Sequence, residues 1–190
     1  MLQLLRPHDV GAREGHRVID HINLKIFVQE GNRYNLADAV AVFHQWIRDS
    51  VCPELLIDVA DYRHVPAGPG VMLIGHEANY SLDNRENRLG LLYNRKTPLE
   101  GTFQSKLAQA WRAASDACDR LEKEGLRFDR NQIEVFVNDR LLAPNTEETW
   151  EALRPQLEMF FPWANVERIG EKRDLFRVSV RGAGWQPAAD

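Results

Sequence analysis

Cysteine is scarce, with two in 190 residues, and neither Cys52 nor Cys118 belongs to a CxxC or Cys/His ligand pair. A disulfide framework and a thiolate zinc knuckle are thereby excluded, and the usage fits a reducing compartment. Long apolar runs are missing as well. Nothing approaches the roughly 20 apolar residues of a membrane-spanning helix, and MLQLLRPHDVG has too short an apolar stretch for a signal peptide. There is no basic excess: 24 Lys and Arg stand against 28 Asp and Glu, for a net charge of -4, which argues against a nucleic-acid binder. Lysine is rare beside arginine, five against nineteen, but the arginines are scattered, so a compositional bias accounts for them. The expectation is a soluble, cytoplasmic protein with no membrane and no nucleic-acid partner.

The common catalytic signatures are absent too. His76-Glu77 is followed by Ala78-Asn79-Tyr80, so there is no HExxH spacing and no metal is expected. Gly68-Pro69-Gly70 is neither a Walker loop nor a dinucleotide loop. It leads into an apolar strand with no helix N-terminus to hold an anion, and reads as a turn. No GxSxG elbow occurs, and Cys52 precedes a proline without a histidine nearby in sequence. No cofactor is expected.

What is present is a regular series of elements. Ile22, Leu24, Ile26 and Val28 alternate with more polar residues, the period of a half-buried strand. A helix is predicted over 36–49, with Asn35 as its N-cap and Leu36, Val40, Phe43 and Ile47 on one face. Runs at 55–60, 71–75 and 89–93 read as strands, and the first two are apolar enough to suggest cover on both faces. Segments 61–70 and 76–88 read as connections. The strongest helix, 103–124, repeats Phe103, Leu107, Trp111, Ala114, Cys118 and Leu121 at steps of three and four, with Cys118 as a small core residue. A strand over 133–137 follows, then a helix from Thr146 kinked or divided at Pro155, and two closing strands at 166–169 and 176–180.

Consecutive strands in the middle of this order favour antiparallel pairing. The predicted class is α+β: a two-layer sandwich of a mixed, mostly antiparallel sheet with three helices, a ferredoxin-like split βαβ elaborated by extra strands. Residues 1–20 read as an N-terminal extension, 21–181 as a single domain and 182–190 as a frayed tail.

Titratable groups concentrate between Ile57 and Asp83, where His64, His76, Glu77 and Tyr80 are the candidate ligand-binding residues. Antiparallel pairing of the two strands there places His64 and His76 at opposite sheet edges, so only a loop excursion or a second subunit brings them together. With no catalytic motif and five tryptophans, the favoured function is a binding or protein-interaction module, self-associating as a homodimer. The alternative is a small-molecule enzyme, a hydrolase or lyase, with His76 as acid/base. The dimer expectation comes from the strand at Val71, where Met72 and Ile74 answer Val71 and Leu73: the face away from the helices needs cover from the N-terminal extension, the 76–88 connection or a second subunit, and the subunit is favoured because the extension is poor in apolar periodicity.

Overall fold

Alternation builds the sheet. In β1 (Ile22–Val28), Ile22, Leu24 and Ile26 turn to one face and Asn23, Lys25 and Phe27 to the other. The computed structural model describes residues 19–162 and 164–182. The proposed extension and tail therefore lie almost wholly outside the described residues. After β1 come α1 (Leu36–Asp49), β2 (Leu56–Tyr62), β3 (Gly70–Gly75), β4 (Ala78–Asp83), β5 (Gly90–Arg95) and α2 (Phe103–Lys123). The order closes with β6 (Phe128–Val137), α3 (Glu147–Phe160), β7 (Asn165–Ile169) and β8 (Phe176–Arg181).

The eight strands form one sheet in the order β2-β3-β4-β5-β1-β6-β8-β7, with every ladder antiparallel. Helix α1 packs on β2 and β3, α2 on β1 and β5, and α3 on β7 and α2. The core lies between that helix layer and the sheet, where Leu24, Leu73, Tyr93, Leu107, Trp111 and Val135 are buried. The α+β class, the three helices and the antiparallel sheet are as the element order predicts.

Local signals start the helices. Asn35 Oδ1 accepts the Ala37 N–H at 3.1 Å, and Thr102 Oγ1 accepts the Ser105 N–H at 3.2 Å. Of the predicted α2 seam, Leu107, Trp111, Ala114, Cys118 and Leu121 are buried, and Phe103 is partly so. Helix α3 is one helix containing Pro155, not two short ones, and that residue lies on its exposed side.

Three expectations change. Segment 76–88 is not a bare connection, since it contains β4. There Ala78, Tyr80 and Leu82 are buried on the core side while Asn79, Ser81 and Asp83 face the other way. Strand β6 begins at Phe128, earlier than expected, because a register break opposite Ile26 and Phe27 lets residues 130–132 bulge out. Strand β2 is not covered on both faces: it is a sheet edge, with Ile57 53% exposed and Leu55, just before the strand, 68% exposed. The Gly68-Pro69-Gly70 turn needs its last glycine, because Gly70 sits at φ +63° and a β-carbon there would lie 2.1 Å from the Leu82 carbonyl oxygen.

Candidate functional site on the helix-free face

The face turned away from the helices is a grid of side chains set by register. Asn79, Asn94, Asn23, Phe136 and Arg177 stand side by side across β4, β5, β1, β6 and β8. The next row reads Ser81, Leu92, Lys25, Glu134 and Ser179. A third row brings Asp83, Gly90 and Phe27 together. Over the middle of this grid lies a cavity of about 420 Å³, with Arg85, Glu86 and Arg88 from the β4–β5 connection at its rim and Arg140 on another side.

Charge is buried here on an unusual scale. Lys25, Asp83 and Glu134 are all under 5% exposed, and Asn23 and Ser81 are buried beside them. Lys25 Nζ donates to Asp83 Oδ1 at 2.7 Å. To reach it, the lysine crosses β5 over Gly90, where an added β-carbon would lie 2.9 Å from Lys25 Cε and 2.7 Å from the Ile26 carbonyl oxygen. Glycine is the residue that lets this side chain pass. Burial pulls the Lys25 pKa below its ordinary value, and the Asp83 carboxylate opposes that shift.

Glu134 anchors the opposite side. Arg177 Nε donates to its Oε2 at 2.8 Å, and Arg88 reaches its Oε1 at 3.3 Å. The same Arg177 forks onto Glu86 at 2.6 and 2.9 Å, a bidentate pair that holds Glu86 below its ordinary pKa. Arg88 stacks on Phe27, 3.7 Å from the ring centroid. Asp83 Oδ2 is buried and accepts no hydrogen bond, although Arg85 Nε stands 3.2 Å away. Chemically, the cavity offers fixed cations, a row of carboxamides and an apolar patch at Leu92 and Phe136.

The four candidates read from the sequence are divided between two ends of β3. His64 is exposed in the β2–β3 loop, and near the end of β2 the Asp61 pKa is lowered to about 2 by its pair with Arg63. His76 is exposed on the β3–β4 turn, its backbone N–H bonded to the Leu55 carbonyl. Glu77 and Tyr80 do meet, in a second recess of about 340 Å³ on the helix side. There Arg95 donates to Glu77 at 2.8 Å and Tyr80 Oη donates to Glu54 at 3.1 Å. The other Glu54 oxygen accepts the Glu77 and Ala78 N–H groups at 2.8 and 2.9 Å. Burial, with Cys52 and Glu54 nearby, keeps Tyr80 a neutral phenol. Neither histidine lines either cavity.

Among the described residues, no three His, Cys, Asp or Glu side chains are grouped to hold a metal ion, and no helix is long and apolar enough to cross a membrane. The alternation in β1 sets its more polar residues, Asn23 and Lys25, on the face opposite Ile22, Leu24 and Ile26, but no such pattern singled out Glu134 and Arg177. The signal for these was a charged residue between apolar neighbours in a strand, at Glu134 between Ile133 and Val135 and at Arg177 between Phe176 and Val178. No family model matches the chain, and neither does any curated protein or solved structure.

Proposed function

We propose that this protein is a binding module, and that a small molecule binds on the helix-free face of its sheet. The observation carrying this reading is the burial of Lys25, Asp83 and Glu134 on the sheet face where, among the described residues, no α-helix packs. Buried ion pairs add little stability beyond what apolar residues of similar volume supply, so their placement around a cavity favours recognition over folding. An enzyme built on His76 would need partners for the imidazole, whereas the nearest assembled groups, Glu77 and Tyr80, are engaged by Arg95 and Glu54. Amide NMR with millimolar organic acids, amino acids, sugars and nucleotides tests the reading. At least one probe should move Asn23, Lys25, Asn94 and Phe136 together. Shifts confined to the recess around Tyr80, or none from any probe, would overturn it.

Self-association as a homodimer belongs to the same proposal. Its support is the free edge at β2, where Leu55, Ile57, Tyr62 and Val65 are exposed beside the half-buried Met72 and Ile74. Exposed apolar edges favour pairing with another chain. Light scattering at micromolar concentration should give twice the monomer mass for the wild type and the monomer mass for Ile57→Lys. A monomeric wild type removes the dimer. The ferredoxin-like likeness rests on β5-α2-β6, which steps over β1, and a cytoplasmic location rests on the cysteine usage.

A further inference from the structure

The cavity on the helix-free face is lined by five cationic side chains (Lys25, Arg85, Arg88, Arg140, Arg177) and four carboxylates (Asp83, Glu86, Glu134, Asp174) in a chain whose net charge is -4. Their hydrogen-bonding capacity is used unequally. Glu86 and Glu134 are taken up by Arg177 and Arg88. Arg177 is saturated in return, with all three of its guanidinium nitrogens bonded. Arg140, exposed at the rim, forms no ion pair among the described residues, and Arg85 offers only its Nε to Asp83. Asp174 is likewise outside any ion pair among the described residues and accepts the Glu171 N–H at 2.7 Å, so the lining as a whole carries one net positive charge, five cations against four carboxylates.

The uncharged groups are as telling. Asn94 and Asn138 line the cavity with carboxamides that have no partner among the described residues. Asn23 uses its Oδ1 on the Arg95 backbone N–H and keeps its amide donors. Asp83 Oδ2 is an acceptor without a hydrogen bond. Donors and acceptors interleaved in this way suit hydroxyl groups, which both give and take hydrogen bonds. Leu92 and Phe136 supply an apolar patch that fits the C–H face of a saturated ring. The volume of about 420 Å³ lies within the range of small-molecule sites.

We infer that the cavity takes a small polyhydroxylated monocarboxylate of the sugar-acid type, its hydroxyls on the asparagine row and its carboxylate on the cations at the rim. The inference rests on the binding-module reading and narrows it. A phosphate dianion would overshoot the single net positive charge of the lining. An apolar acid would leave the carboxamides unpaired, and a buried polar group without a partner weakens binding.

Calorimetry and amide NMR on the full chain, with glucuronate, glucose, benzoate and a hexose phosphate as probes, test the inference. Glucuronate should bind at least about tenfold tighter than the other three, the scale of one charge-assisted hydrogen bond, and should shift Asn23, Asn94 and Phe136. Arg140→Gln, at an exposed unpaired position, should weaken glucuronate about tenfold and leave glucose unchanged. Asn94→Leu should weaken both sugars and spare benzoate. Equal affinity for glucose and glucuronate, or a higher rank for benzoate or hexose phosphate, overturns the sugar-acid assignment. If the shifts still fall on this face, the binding-module reading survives that result. Silence from all four probes overturns the sugar-acid assignment, and silence from the wider panel as well overturns the binding-module reading.

Discussion

A single lysine ties the middle of the sheet to the cavity, and its energetics separate folding from recognition. Lys25 and Asp83 have side chains only 5% and 1% exposed, so removing the lysine leaves the buried carboxylate with only Arg85 Nε, 3.2 Å away, to offset its charge. Lys25→Met should cost about 3–5 kcal/mol of unfolding free energy. Adding Asp83→Leu to it should recover most of that loss, because an apolar pair of similar volume replaces the ion pair. Urea titrations of both variants and the wild type check this. A double variant as weak as the single one would mean that the charges themselves hold the strands together. Gly90 gives a second test at this scale. Gly90→Ala puts a β-carbon against the Ile26 carbonyl oxygen and the lysine stem, and overpacking of that kind should cost about 1–3 kcal/mol. An unchanged urea midpoint would show that the lysine has another route to Asp83.

Strands and helices differed in how well they could be read from the chain. Helix α2 was legible because its apolar repeat extends over five turns and Thr102 marks its start. Trp111, 3% exposed within that repeat, should cost about 3–5 kcal/mol when replaced by alanine. A denaturation midpoint unmoved by Trp111→Ala would contradict its place in the core. Strand β4 was missed although Ala78, Tyr80 and Leu82 alternate with Asn79, Ser81 and Asp83 in its six residues. A strand polar on its second face resembles a loop when polarity is weighed before period. The cavity was illegible for a different reason. Asn79, Asn94 and Asn23 are neighbours only through register, as are Lys25 and Glu134, and register across β4, β5, β1 and β6 is not written in any one segment. The titratable segment that was legible, from His64 to Tyr80, is split by the length of β3.

Taken as a whole, the molecule should respond to acid through its carboxylate–arginine pairs. The Arg177 fork lowers the folded pKa of Glu86 below its ordinary 4.5. A lowered carboxylate contributes stability above the ordinary value and loses it as pH falls toward the folded one. Wild type and Glu86→Gln should therefore differ in urea midpoint at neutral pH and converge as the pH drops below 4.5. A gap that stays constant with pH would remove the ion pair from the account. The central position of β1 has a consequence for synthesis. Leu24 pairs with Tyr93 on one side and with Val135 on the other, so β1 leaves the ribosome before both of its partners and waits for each of them. Throughout that wait, INLKIFV is a seven-residue stretch of high sheet propensity without its neighbours. The lysine at its centre then acts as a gatekeeper, a solvated charge that discourages nascent chains from pairing with one another, before folding buries it against Asp83.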